Sequence, residues 1–292
     1  LLTLQKNINF KTGRISLPTS KSLSNRALII RELTKFPFEV HDLSNSDDTQ
    51  NLIHQLKSNS TTIDVGAAGT NMRFLISLYS YLPGIKIITG SERMLQRPVG
   101  ELVFALNRIG AHVEYLEKVN YPPIRIAGGN LKGGKVKVNG NISSQFISSL
   151  LMISPVMENG IRLEIIGETV SRPYIQMTLD LMEYFGISYT WKEQIISITP
   201  QEYITKTYTV EGDWSAAGFF YGFVACSPIG TSIHIKNISL DSLQGDKKTA
   251  DHFLKLGVIT SSESNGIKIQ KENTDQQTRP EFNLINEPDL FP

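Results

Sequence analysis

The sequence has a single cysteine, two tryptophans and no excess of either charge. A lone cysteine, Cys226, excludes an intrachain disulfide framework and suits a reducing compartment. Lysines and arginines number 29 against 28 acidic residues, a formal net charge of +1, so no bulk field points to nucleic acid or an anionic membrane surface. Any affinity for anions must be built locally. Long hydrophobic runs are missing as well. The longest, Ala216 to Cys226, is about half of the roughly 20 residues that a bilayer span needs. The five histidines, His41, His54, His112, His234 and His252, have no metal-ligand spacing. Residues 1–18 carry neither an apolar stretch of signal-peptide length nor an Arg/Ser-rich transit pattern. These absences lead us to expect a soluble, cytoplasmic protein without nucleic-acid, membrane or metal partners. Hydrophobic residues at 40% and charged ones at 20% of 292 are ordinary for a globular chain, and the length suits two domains.

What is present is a recurring pattern. "RPVGELVFALNRIGAHVEY" from Arg97, "RPYIQMTLDLMEYFGISYTW" from Arg172 and "QGDKKTADHFLKLGVITSS" from Gln244 share one shape. Each opens on a polar or proline-marked turn and continues as an amphipathic helix of about three turns. Each then breaks at a glycine (Gly110, Gly186, Gly257) placed to cap the helix, and enters a β-like run. "SDDTQNLIHQLKSNSTTIDV" is a looser fourth copy in which Asn59 takes the place of the glycine. "IKIIT", "IRIAG", "KVKVNG", "RLEIIG" and "IISITP" lie between these helices and read as strands. Spacings of 76 and 71 residues between the glycines suit an α/β unit with two helices and several strands, not a one-helix solenoid. Helix–glycine–strand is also common α/β punctuation, so the pattern alone leaves duplication open.

Four polar clusters could hold chemistry. In "PTSKSLSNRAL", Pro18 stops a strand and Thr19 or Ser20 can cap the helix that follows. Ser22 and Arg26 then share a face, with Leu23, Ala27 and Ile30 on the apolar side. Lys21 falls in the first turn, where a cation opposes the helix dipole unless an anion is to be held there. A solvated, capped first turn is the alternative. In "VGAAGTNMRF", Gly66 and Gly69 allow a tight turn with exposed amides, and Thr70 or Asn71 can cap a helix beginning near Met72. The lysine of a P-loop and the third glycine of a dinucleotide fingerprint are both absent. In "GSERMLQRPVG", Arg93 and Arg97 flank a short loop, and the planar fork of Arg97 could grip phosphate or carboxylate. In "NGNISSQFISSLLM", Ser143, Ser144 and Gln145 bring hydroxyls and an amide to a helix start, anchored by Phe146, Ile147, Leu150 and Leu151. A serine pair is equally a good N-cap. Ser171 and Tyr174 in "TVSRPY" offer a comparable turn.

Taken in order, "LPTSKSLSNRAL", "GAAGTNMR", "RMLQRPVGELVFALNRIGA", "NYPPIRIAGG", "NGNISSQFISSLLM", "VSRPYIQMTLDLM", "VEGDWSAAGFF" and "LQGDKKTAD" resemble the signatures of the 5-enolpyruvylshikimate-3-phosphate synthase family, over nearly the whole chain from residue 14 to Asp289. The resemblance implies an α/β enolpyruvyl transferase fold of two domains, each of repeated βαβαββ units around a pseudo-threefold axis. Residues 19–212 would form an inserted, complete domain, and 1–18 with 213–292 a partial one. It implies a transferase of aromatic amino acid biosynthesis, moving the enolpyruvyl group of phosphoenolpyruvate to the 5-hydroxyl of shikimate 3-phosphate and releasing phosphate. No cofactor or metal is implied, and the partners are these two small molecules, with the protein expected as a monomer. By matching position, Lys21, Gly69, Arg97 and Gln145 would meet phosphoenolpyruvate. Ser22 and Arg26 would hold the shikimate carboxylate end, and Ser143, Ser144 and Ser171 would ring the phosphate. Gln145 would touch both substrates, Tyr174 would line the sugar-like ring, and Lys21 would meet shikimate 3-phosphate as well. Asp289 in "NEPDLFP" resembles the base for the 5-hydroxyl, so Asp289 and Lys21 are the expected catalytic pair.

Departures qualify the resemblance. Thr19 stands where a glycine is usual, which is expected to crowd the phosphoenolpyruvate end, and Ala67 where an asparagine is common. The sequence stops at Pro292, whereas family members continue with further active-site residues, so this polypeptide alone is expected to bind without turnover. Two other readings follow. A non-catalytic anion-binding fragment or subunit is one. The other is the related transferase acting on UDP-N-acetylglucosamine, which uses a loop cysteine or aspartate. The apolar setting of Cys226 in "FFYGFVACSP" predicts a buried structural thiol instead.

Overall fold

Strand β1 (Thr12–Ser16) gives way to Leu17 and then Pro18, which has no amide to continue a ladder. The computed structural model describes residues 11–141, 143–272 and 281–290. The stretches 1–10 and 273–280, Ile142 of the fourth polar cluster, and Phe291 and Pro292 of "NEPDLFP" lie outside the described residues. The chain divides into a large unit, Lys21–Val210, and a small unit made of Leu1–Ser20 with Glu211–Pro292.

The large unit starts with α1 (Lys21–Leu33), β2 (Val40–His41) and α2 (Asp47–Lys57). A first repeat follows: β3 (Thr62–Asp64), α3 (Gly69–Tyr81), β4 (Gly84–Thr89), a single turn α4 (Glu92–Leu95), α5 (Gly100–Arg108), β5 (His112–Tyr115) and β6 (Ile124–Gly128). The second runs β7 (Gly134–Asn139), α6 (Ser144–Ile153), β8 (Ile161–Ile166), α7 (Arg172–Tyr184), β9 (Thr190–Lys192) and β10 (Ile195–Ile198). Strand β11 (Tyr208–Thr209) then pairs in parallel with β2. In the small unit, β1 is joined by α8 (Trp214–Ala225), β12 (Ser232–Lys236), α9 (Thr249–Leu254), β13 (Val258–Glu263) and β14 (Gly266–Lys271).

Three of the sheets are one design. Their strand orders are β3-β4-β6-β5, β7-β8-β10-β9 and β1-β12-β14-β13, each with its first two strands parallel and the rest antiparallel. Strand–helix–strand–helix–strand–strand is thus a true repeat, and the pattern is more than punctuation. Corresponding rungs carry apolar residues inward: Ile63, Ile88 and Ile124; Val136, Leu163 and Ile196; Ile15, Ile235 and Ile267. Alternation places these on the helix-covered face. The small unit packs α8 and α9 on its sheet through Trp214, Tyr221, Val224 and Phe253.

The glycine stops operate as the sequence implies. Gly110 (φ 103°) and Gly186 (φ 87°) follow α5 and α7 in the left-handed region. Their amides return to Asn107 and Glu183, while Ala111 and Ile187 return to Leu106 and Met182. These paired bonds satisfy the last carbonyls, and a side chain at either glycine would strain the turn.

Several local expectations are corrected. Asn59 is not a left-handed stop: α2 ends at an extended Ser58. The helix after the "GAAG" turn starts at Gly69, not near Met72, and its N-cap is Ala68, which supplies no side-chain bond. Thr70 and Asn71 therefore sit inside the first turn and do not cap it. Arg93 lies in the single turn α4, which ends at Leu95 ahead of Arg97. The third patterned helix is only six residues long, preceded by a 3-10 turn at Gly245–Lys248. Cys226 is exposed and not buried, because α8 ends at Ala225 and its C-cap residue turns outward. Thr19 forms an isolated antiparallel bridge with Gly212.

Candidate anion-binding site

Buried polar contacts fix the direction of the large unit's helices. Arg26, on the second turn of α1, donates from Nε to Thr178 of α7 (2.7 Å) and from its fork to Ser148 of α6 and the Tyr174 carbonyl (both 3.4 Å). Ser77 of α3 donates to Ser149 of α6 at 2.9 Å. Near the helix starts, Gln145 of α6 donates to Thr70 of α3 at 3.1 Å. Asn25 of α1 bridges α2 and α3, accepting from Thr49 (2.7 Å) and donating to Asn71 (3.1 Å). Contacts at matching depth mean that these helices run parallel. Their N-termini therefore gather at one end of the unit.

Acidic residues at that end come from the first turns of α2 (Asp47 and Asp48) and α5 (Glu101). No acidic residue occurs in the first turn of α1, α3, α6 or α7, where carboxylates are ordinarily favoured. Helices α3, α5 and α7 also lack any side-chain cap. Leaving a helix uncapped forgoes about 1 kcal/mol, and the unmet amides are then open to an external anion. Helices α6 and α2 are capped instead, by Ser143 and Ser46 through the amides of Gln145 and Thr49.

The side chains singled out from sequence line this end. Gly69 opens α3, and the Arg97 guanidinium lies against it so closely that a Cβ at Gly69 would collide with Arg97. Arg97 is exposed and has no ion pair among the described residues. Lys21 pairs with Asp48 at 3.1 Å, with 44% of its side chain exposed. Ser22 lends its carbonyl to Arg26, and Ser144 is buried at the start of α6. Ser171 is left-handed (φ 55°) at the uncapped start of α7. The loops carrying Ser143 and Ser171 are tied together by the Val170 amide, which donates to the Gly140 carbonyl. Tyr174 is buried beside Arg26. Arg26 itself is only 3% exposed and spans α1, α6 and α7.

Asp289 belongs to the small unit. It sits on a 3-10 turn, Pro288–Leu290, exposed, beside a cavity of about 350 Å³ lined also by Ser215, Phe219, His252, Phe253 and Leu256.

Two participants are not legible in the sequence. Asn71 reads as a cap, yet its amide donates to the Asp48 carbonyl and Asn51, and its oxygen completes the bond with Asn25. Arg73 carries no motif signal. It is 4% exposed, donates to the Gly69 carbonyl at 3.0 Å and lies over the Phe146 ring. Burial, and secondarily the charge of Arg97, lower its pKa to about 10. No group of His, Cys, Asp or Glu among the described residues could hold a metal ion.

Repeated βαβαββ units, with parallel helix starts gathered near Arg97 and Gly69 in the large unit, define an α/β protein with a candidate anion site there. A family model described as EPSP synthase (3-phosphoshikimate 1-carboxyvinyltransferase) matches residues 52–292. The chain belongs to the EPSP synthase family, and it is a transferase of that family. A relative from Bacteroides fragilis (strain YCH46), named 3-phosphoshikimate 1-carboxyvinyltransferase, is 47% identical over 277 residues, covering 94% of this chain and 67% of its own length. One of the same name from Aliivibrio salmonicida (strain LFI1238) is 39% identical, covering 88% of this chain and 66% of its own. The chain thus spans about two thirds of the length of these relatives. The fold matches EPSP synthase from Acinetobacter baumannii with a TM-score of 0.82 at 19% identity, covering 99% of this chain and 72% of that one. No described helix is long and apolar enough to cross a membrane.

Proposed function

We propose that the chain binds shikimate 3-phosphate and phosphoenolpyruvate and transfers the enolpyruvyl group to the 5-hydroxyl, releasing phosphate, as a cytoplasmic enzyme. The observation that carries this reading is the gathering of the starts of α3, α6 and α7, none with an acidic first turn, at the end of the large unit where Arg97 lies over Gly69. Both ligands are phosphorylated carboxylates, and such a field favours both.

The roles divide by chemistry. Ser143, Ser144 and Ser171, on two loops tied together, suit the phosphate of shikimate 3-phosphate, since hydroxyls and helix amides hold phosphate without formal charge. Ser22 and Arg26 are assigned to its carboxylate; the Arg26 fork already donates to the Ser22 carbonyl. Tyr174 and Gln145 are assigned to the ring. Lys21, Gly69, Arg97 and Gln145 are assigned to phosphoenolpyruvate. In the reaction, the 5-hydroxyl oxygen bonds to C2 of phosphoenolpyruvate while its proton passes to a base, and the C3 methylene gains a proton. The C2–O bond to phosphate then breaks and the new methyl group returns a proton, regenerating the double bond. Positive charge fixed around C2 favours binding of the anion, and fixed dipoles there can stabilise the charge that develops. Asp289 is the assigned base, and Lys21 the assigned catalytic cation.

Phosphate release with both substrates tests the proposal. A protein that also carries the family's further active-site residues should release phosphate only when shikimate 3-phosphate is present, and Lys21→Met should abolish that release with little loss of stability, because an exposed ion pair is worth at most about 1 kcal/mol; residues 1–292 alone are expected to bind without release. Binding of both ligands without release by the longer protein would favour the non-catalytic anion-binding reading.

A further inference from the structure

Arg73 is a buried cation without a counter-ion among the described residues. Its side chain is 4% exposed, and no described carboxylate lies within ion-pair distance of it. Its bonds go to neutral acceptors: the Gly69 carbonyl at 3.0 Å, the Met94 sulfur at 3.7 Å and the Pro98 carbonyl at 3.5 Å. Its Nε–H has no acceptor among the described residues. The ring of Phe146 covers it, with the guanidinium carbon 5.4 Å from the centroid. A buried charge left unpaired is among the more expensive things a fold can retain. The neighbouring charge is Arg97, also positive, which makes the arrangement worse in isolation.

The three acceptors explain the placement. Gly69 opens α3, Met94 belongs to α4, and Pro98 precedes α5 directly after Arg97. One guanidinium therefore bolts the first turn of α3 to the segment that carries Arg97. With that bolt in place, the Arg97 fork is held across the face of Gly69.

We propose that Arg73 is a positioning residue for the anion site, fixing Arg97 against Gly69 and contributing a buried charge that is balanced only when an anion occupies the site. This rests on the reading that the convergent helix starts hold an anion. Arg73 does not touch the ligand; it acts through Arg97 and through the field. The ligand class is a compact phosphorylated or carboxylated anion seated at Gly69 and Arg97, where phosphoenolpyruvate is assigned.

The test uses the whole chain and two probes, inorganic phosphate and phosphoenolpyruvate, titrated by calorimetry into the wild type, Arg73→Met, Arg73→Lys, Arg97→Met and the double variant Arg73→Met/Arg97→Met. Arg73→Met should weaken both probes by about tenfold, a change of roughly 1.4 kcal/mol. Arg73→Lys should recover part of that loss by restoring the charge without the fork. The double variant should bind less weakly than the two single losses combined would give, since the part of Arg73's effect that passes through Arg97 is already gone in Arg97→Met and only the field of Arg73 is lost in addition. Without phosphate, Arg73→Met should melt no lower than the wild type, because it removes an unbalanced charge, and added phosphate should raise its melting temperature less. Unchanged affinity in Arg73→Met, fully additive losses in the double variant, or a large fall in its melting temperature with normal affinity would each overturn the inference while leaving the anion site standing. Failure of the wild type to bind either probe would overturn the anion-site reading and this inference with it.

Discussion

At Gly69 the missing side chain is what lets an arginine lie flat on a helix start. Gly69 does not have a left-handed φ, so alanine fits its backbone, and within a helix alanine is favoured over glycine by up to about 1 kcal/mol. The obstacle to alanine is the Arg97 guanidinium, the far end of a flexible side chain that can swing away. Gly69→Ala should therefore keep or slightly raise the melting temperature while displacing Arg97 and weakening phosphoenolpyruvate. Thermal melts and titrations on one preparation would check both halves; a destabilised protein with normal affinity would contradict the geometry. Lys21 differs from Arg97 in already having a partner, Asp48, from which a ligand must draw it.

Helix α8 illustrates how an element is anchored by a polar cluster beyond its own cap. Asp213 caps the Ser215 amide, and Gln244 accepts from the Trp214 amide while its own amide donates to Glu211 and the Gly212 carbonyl. Glu211 also accepts from the Ser242 hydroxyl. Burial raises the pKa of Glu211, against opposing contributions from Ser242, Gln244 and Lys247. A carboxyl whose folded pKa is raised binds its proton more tightly in the folded state. Its contribution to stability is thus complete below the ordinary carboxylate range and declines as pH rises through the folded value. Glu211→Gln, which keeps an acceptor oxygen and never ionises, should melt above the wild type near pH 7.5, and the two curves should converge near about pH 4. A difference independent of pH would exclude a titrating Glu211 as the cause.

On the scale of the whole molecule, a net charge of +1 gives no bulk field, so any attraction for anions is local. The large unit contains its two repeat sheets, the α1–α2–α3 polar junction and all the residues proposed to meet the ligands' anionic groups. Residues 21–210 expressed alone should unfold cooperatively and bind inorganic phosphate with an affinity within a few-fold of the whole chain, weakening as salt is raised. A fragment that folds but has lost phosphate binding would show that the small unit is needed to build the site.

Local signals are legible because their physics is local. Glycine at a left-handed helix stop, β-branched runs between turns, and the serine at the start of α6 can be read directly, and the order of motifs points to the family. Asn71 misleads because an asparagine near a helix start has the right chemistry for a cap; Asn25, the Asp48 carbonyl and Asn51, brought in from α1 and α2, claim its side chain instead. Arg73 is invisible for a related reason, since its meaning lies in Phe146, Met94 and Pro98. The sequence by itself determined the places of β4, β6, β7, β8 and β10, the glycine stops of α5 and α7 and the residue types offered to an anion, while leaving duplication open. Tertiary structure decided that these helices lie parallel with their starts together, that Arg26 is buried between three of them, and that Arg73 keeps an unbalanced charge under Gly69. Those outcomes depend on contacts between residues far apart in the chain, such as Arg26 with Thr178, and short-range sequence periodicity carries no information about which distant partner will arrive.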